Sequence, residues 1–192
     1  MTMLLQSRKP EVSGTVEGLV NALEAHLRSS KDYAQAERIL SQFIPTASDL
    51  AAYANFSNDR YSRNLIHRSE RFELLLLCWK PGQSSPVHDH RYSWCGVRVI
   101  QGSATEVRFM KTPQGTWVPV GHNVARAGEL VCSMDTDTHV IGNFETSDLM
   151  TLHCYAPPLK NYEVVPNEQT LGATLSRVYN SLQNDAGVGT IL

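Results

Sequence analysis

No two of the four cysteines, Cys78, Cys95, Cys132 and Cys154, form a CxxC pair. The common structural zinc patterns and the thioredoxin-type motif are thereby excluded. Long apolar stretches are also missing: the longest unbroken run, Leu74 to Trp79, is far too short to span a bilayer. The opening residues, MTMLLQSRKPEV, lack the h-region of a signal peptide. A cytoplasmic protein with reduced thiols is therefore expected. Charge of neither sign dominates, since 17 Lys+Arg face 19 Asp+Glu for a net charge of -2. That balance lacks the basic excess of a nucleic-acid binder and the polybasic segment of a membrane anchor, so neither partner is expected. Bulk disorder is excluded by a 42% hydrophobic and 19% charged composition. What the chain does have is histidine, seven in 192 residues.

The length suits one domain over 1–192. Up to about residue 56 the apolar period is helical. Val16, Leu19, Val20, Leu23 and Leu27 share one face after Ser13 or Thr15 as N-cap. Tyr33, Ala36, Ile39, Leu40 and Phe43 share another, which Pro45 stops. Thr46 or Ser48 caps a short third helix through Tyr53. From about 60 to 165 the period changes to seven short runs: RFELLLLCW, CGVRVIQG, ATEVRFMK, TWVPVG, ELVCSM, THVIGNF and DLMTLHCY. Gly and Pro separate them, which reads as a mainly β sandwich or small barrel behind a helical N-terminal layer. Residues 166–192 form a C-terminal extension whose QTLGATLSRVYNSL reads as a strand and a weak helix.

The informative segment is PGQSSPVHDHRYSWCGVRVIQG. His88 and His90 are two apart, and on a strand that spacing puts both imidazoles on one face. Such a pair is half of a chelate, but it fits a surface strand pair equally well. A third ligand has four sources, His122, His139, His153 and His67. Gly82 lies six before His88 and Gly102 seven after Cys95, a bracket that suits a hairpin ladder. Downstream, His139 is followed four positions later by Asn143.

Together these read Gly82-x5-His88-x-His90-x4-Cys95-x6-Gly102 and His139-x3-Asn143. In this the chain resembles the cupin superfamily, with every spacing of the first motif kept and Cys95 at the usual glutamate position. That exchange, with YSRN (Tyr61 to Asn64), LCW (Leu77 to Trp79), HDH (His88 to His90), His139 and LHCYAPP (Leu152 to Pro158), is similar to the cysteine dioxygenase family over about 50–165.

The resemblance implies Fe(II) held by His88, His90 and His139. Three neutral imidazoles leave a divalent ion at +2, where a cupin glutamate would lower it to +1. Such a site suits a substrate that brings its own thiolate. It also implies Arg63 as a clamp on the substrate carboxylate, with Tyr61 adding a hydrogen bond on the same side of its strand. From the residues alone, Arg63 reads as a solvated side chain and Tyr61 as core packing. Cys95 and Tyr155 match the pair that animal relatives join in a thioether cross-link, although a buried free cysteine explains Cys95 as well. Thr151, His153 and Tyr155 match a Ser-x-His-x-Tyr relay with Thr for Ser, making His153 a support for the Tyr155 hydroxyl and not a ligand. A cis Ala156–Pro157 bond is implied, and Trp79 is placed near the site mouth. His26, His67 and His122 show no partner.

The expectation is a cupin monomer using L-cysteine and dioxygen. The rivals are a dioxygenase for 3-mercaptopropionate or another small thiol, and a non-catalytic metal-binding cupin.

Overall fold

A computed structural model describes residues 14–134 and 138–159; the extension expected over 166–192 lies outside them. The helices are α1 (Val16–Ser29), α2 (Tyr33–Gln42) and α3 (Ala47–Leu50). Thr15 caps α1, its side chain accepting from the Gly18 amide at 3.1 Å. Asp32, not singled out in the sequence, caps α2 by accepting from Ala34 and Gln35. Thr46 and Asp49 form a capping box at α3. This helix ends at Leu50, with only a turn continuing toward Tyr53.

Eight strands follow: β1 (Ser62–Arg68), β2 (Glu73–Trp79), β3 (Trp94–Gln101), β4 (Ser103–Lys111), β5 (Trp117–Arg126), β6 (Leu130–Met134), β7 (Thr138–Gly142) and β8 (Leu149–Ala156). Seven correspond to the expected runs, and β1 is additional. All pair antiparallel, in a five-stranded sheet ordered β1-β2-β8-β3-β6 and a three-stranded sheet ordered β5-β4-β7. Gly121, which reads as a separator, lies inside β5. This strand is an edge paired only with β4 and bulged at Arg108/Phe109, a place that accepts both Pro119 and Gly121.

The apolar run of β2 is buried along its whole length because both faces are covered. Leu74, Leu76 and Cys78 pack with Leu19, Leu23, Ile39, Leu40 and Phe43 of the helical layer. Leu75, Leu77 and Trp79 point the other way, into the space between the sheets, with Cys95, Val97, Val99 and Tyr155. Cys154 belongs to the helix side with Cys78, so with Cys95 three of the four cysteines are core. Gly96 sits where α2 crosses β3. A Cβ there would lie 2.7 Å from Leu40 Cδ1 and from the Trp94 ring, so a side chain fits only if these neighbours shift.

The HDH segment corrects one expectation. His88 and His90 lie in the extended connection between β2 and β3, not in a continuous strand. That connection touches β7 through two isolated bridges, Ser84 with Gly142 and His88 with His139. The bracketing glycines likewise frame a turn, one bridged segment and β3 rather than a two-strand ladder. Gly82 (φ 81°) and Gly102 (φ 79°) each take a left-handed turn position.

Candidate functional site

His88 and His139 are direct partners across their bridge, each amide donating to the other's carbonyl at 2.9 Å. Opposed residues present side chains to the same face, and their ring centroids lie 4.9 Å apart. His90, two residues beyond His88 in extended backbone, brings its ring within 5.2 Å of His88 and 4.7 Å of His139. One ligand atom from each of the three lies within 4.8 Å of the others. After His90 the chain turns through Arg91 (φ 24°) and Tyr92 (φ 68°), two consecutive non-glycine residues in left-handed backbone.

The donor set fits a divalent transition metal. His88 Nδ1 donates to the Pro86 carbonyl at 3.0 Å, and His139 Nδ1 to a Glu106 carboxylate oxygen at 2.5 Å. Both bonds place the ring proton on Nδ1 and leave the Nε2 lone pair for a ligand bond. His139 Nε2 and His90 Nε2 face each other at 3.3 Å. Two nitrogens bonded to one ion at about 2.1 Å stand roughly 3.0–3.4 Å apart, for angles from right to tetrahedral. Burial, joined by the charge of His139, pushes His88 down to about 4 and His90 to about 2. Both are therefore neutral and able to ligate at neutral pH. Burial raises the Glu106 carboxyl, but the hydrogen bond and charge of His139 outweigh it, so Glu106 is anionic.

Beside this cluster, Thr151, His153 and Tyr155 follow one another on the inner face of β8. Thr151 Oγ1 is 2.9 Å from His153 Nε2, and His153 Nδ1 is 3.0 Å from the Tyr155 hydroxyl. Trp79 Nε1 donates to Thr151 Oγ1 at 2.9 Å. An indole nitrogen can only donate, so it takes one of the two Thr151 lone pairs and favours Thr151 donating its hydroxyl hydrogen to His153 Nε2. His153 then donates from Nδ1 to the Tyr155 oxygen, and the Tyr155 O–H remains free to donate into the site. Burial first, then the charges of Arg63 and the three other imidazoles, holds His153 well below the ordinary histidine range. Burial and Cys95 raise the Tyr155 hydroxyl despite the opposing charge of Arg63, so it keeps its proton.

Cys95 stands directly opposite Tyr155 in the β3–β8 ladder. Burial raises its thiol well above the usual range, so it contributes no negative charge to the site. Arg63, on β1, is exposed and hydrogen-bonds to Tyr61. Burial acts to lower its pKa, but Tyr155 and Tyr61 raise it on balance. Arg63 stands opposite Leu77 in the β1–β2 ladder and so shares the inner face of the sheet, and its charge acts on His88, His90 and His153. Trp79 is not at the mouth but almost wholly buried, with its ring stacked 4.3 Å from Tyr61. It thus touches both the relay and the Arg63 side. The Ala156–Pro157 bond is cis.

The family model for cysteine dioxygenase type I matches residues 7–165. The chain belongs to the cysteine dioxygenase type I family. Among curated relatives it is 29% identical over 162 residues to cysteine dioxygenase type 1 of Danio rerio, covering 80% of this chain and 78% of that protein. It is 30% identical over 129 residues to the Homo sapiens protein of the same name, covering 65% of this chain and 64% of that one. The chain thus spans just under two thirds of the human relative. Among solved structures, a protein with a double-stranded β-helix domain from Klebsiella pneumoniae matches with a TM-score of 0.50 at 17% identity, over 62% of this chain and 89% of that one. This likeness agrees with the cupin architecture described above.

One residue that touches this cysteine dioxygenase family site, Glu106, was missed in the sequence, and so was one contact of Trp79. Glu106 sits in the alternating run of β4, where it reads as a solvent-facing polar position. The hydrogen bond of Trp79 to Thr151 spans 72 residues and leaves no local trace. His67 is not partnerless: its Nε2 meets Glu24 of α1 at 3.0 Å. His26 Nε2 likewise lies 2.8 Å from the Asp32 carbonyl.

Proposed function

We propose that this chain is an iron(II)-dependent thiol dioxygenase that converts L-cysteine and dioxygen to cysteine sulfinic acid, working as a cytoplasmic monomer. The observation that supports the reading is the close set of His88, His90 and His139, with Arg63 on the same inner face and the Tyr155 ring 5.3 Å from that of His90, in a chain of this family. His88, His90 and His139 would hold the metal. Iron(II) bound there supplies a Lewis acid that lowers the thiol pKa and a redox centre that makes dioxygen reactive.

The remaining work falls to the protein. Arg63 pairs with the substrate carboxylate, and Tyr61, held against Trp79, keeps the guanidinium in place. Tyr155, with its proton retained and its oxygen fixed by His153, donates a hydrogen bond to the reacting group. The balance is R–SH + O2 → R–SO2H. Two S–O bonds form, the O–O bond breaks, sulfur loses four electrons, the two oxygens gain them, and the thiol proton ends on the sulfinate. The side-by-side placement of Cys95 and Tyr155 supports a thioether cross-link between them.

The test is oxygen uptake and sulfinate formation by iron-loaded protein with L-cysteine, against a His88→Ala control. Sulfinate no higher than the control refutes the reading. A higher kcat/KM on 3-mercaptopropionate assigns the site to that thiol instead. Iron binding without thiol-dependent oxygen uptake marks a non-catalytic cupin.

A further inference from the structure

The space between the sheets opens between two edge strands. β6 is one edge of the five-stranded sheet and β5 one edge of the three-stranded sheet. Between them runs a narrow cleft of about 20 Å³, walled mainly by short aliphatic side chains such as Val97, Ala104, Ala125 and Val131. Asn123, which is exposed, and the half-buried Ser133 stand at its outer end. Glu106 and the buried ring of His139 also line it, so it reaches the histidine cluster. Arg63 lies on β1, the opposite edge of the five-stranded sheet, with β2, β8 and β3 between. The cleft and the Arg63 side therefore approach the three histidines from different directions.

We propose that this cleft admits and holds dioxygen on its way to the histidine cluster, while the charged thiol enters on the Arg63 side. The inference rests on the thiol dioxygenase reading. The two reactants differ in what they can cross. A zwitterion loses most of its hydration between walls that are largely aliphatic, so the cleft disfavours it. Dioxygen carries no charge and gives up nothing there. A separate entrance also keeps the path of dioxygen open once the thiol fills the Arg63 side. The cleft wall continues along the inner face of β3, where Val97 is followed two residues back by Cys95, the partner of Tyr155.

Xenon, apolar and of similar size, is the probe, because dry apolar cavities take it up. Xenon-pressurised crystals, with the methyl resonances of Val97 and Val131 followed in solution, should show saturable occupancy of the cleft whether or not the enzyme turns over. No xenon there overturns the proposal. Ala125→Leu and Val131→Phe then fill the cleft from two different strands. In iron-loaded enzyme at varied oxygen, kcat/KM for dioxygen should fall about tenfold in each, with thiol KM and bound iron unchanged. Unchanged oxygen dependence in both variants also overturns it. Xenon in the cleft of an enzyme that consumes no oxygen with any thiol refutes the dioxygenase reading, and with it dioxygen delivery, but not the gas site.

Discussion

Replacing Glu106 by glutamine should weaken metal binding more than it weakens the fold. The carboxylate accepts from His139 Nδ1 at 2.5 Å, and glutamine keeps an acceptor oxygen in nearly the same place without the charge. A hydrogen bond to a charged group is worth about 1.5–3 kcal/mol and a neutral one about 0.5–1.5. The loss is therefore about 1–1.5 kcal/mol, or roughly tenfold in metal affinity, at the lower end of the range for partners of metal-bound histidines. Alanine also leaves the Nδ1–H without its acceptor, which should move the loss toward about a hundredfold. The assay is anaerobic titration of the apo protein with iron(II) or cobalt(II) against a competing chelator, alongside the urea midpoint of the apo form. Glu106→Gln with metal affinity within about twofold of wild type would refute the reasoning. So would a loss of affinity matched by a loss of apo stability, since that would make Glu106 a fold residue.

Trp79→Phe removes the donor that orients Thr151, so ¹⁵N spectra should show both tautomers of His153, and sulfinate turnover should fall about tenfold with thiol KM unchanged; a single unchanged tautomer counts against the directional relay. Apo protein should lose stability as pH drops. His88 (about 4) and His90 (about 2) lie below the unfolded value near 6.5, so the unfolded chain takes up protons first. Stability is then complete above about pH 6.5 and is lost below it by up to about 1.4 kcal/mol per pH unit for each group; a flat urea midpoint between pH 6.5 and 4.5 would contradict this. Gly96→Ala should cost about 1–3 kcal/mol, because the new Cβ meets Leu40 and Trp94 at 2.7 Å, and a Tm within a degree of wild type would show that α2 shifts freely.

What the sequence reveals and conceals follows from which contacts are local. The helices and seven strands are legible because period and punctuation lie within a dozen residues of each other. His88 and His90 are legible because a two-residue spacing in extended backbone keeps a common face even outside a continuous strand. β4 misleads for a physical reason. Its alternation reads as apolar Val107 and Phe109 facing inward and polar Glu106 and Arg108 facing water. Instead Val107 and Phe109 pack in a separate cluster with Val87 and Val140, while Glu106 faces the histidines. The covering of that apolar face comes partly from the segment that carries HDH, so the period could not indicate which side is the interior.

This inversion bears on the charge of the site. A cupin glutamate would stand at Cys95, and the buried thiol there is neutral. The negative charge is not absent from the site, however; it lies one hydrogen bond further out, on Glu106 behind His139. A carboxylate in that place strengthens His139 as a donor without occupying a ligand position or bonding to the ion. With iron bound as proposed, the three imidazoles would be neutral ligands and would leave room for an anionic thiolate, while Glu106 would still offset part of the ion's field. Glu73, the other nearby buried carboxylate, is already paired with Arg68 and accepts from the Leu159 amide at 3.2 Å. It is committed to holding the chain just past β8, whereas Glu106 contacts the His139 imidazole directly.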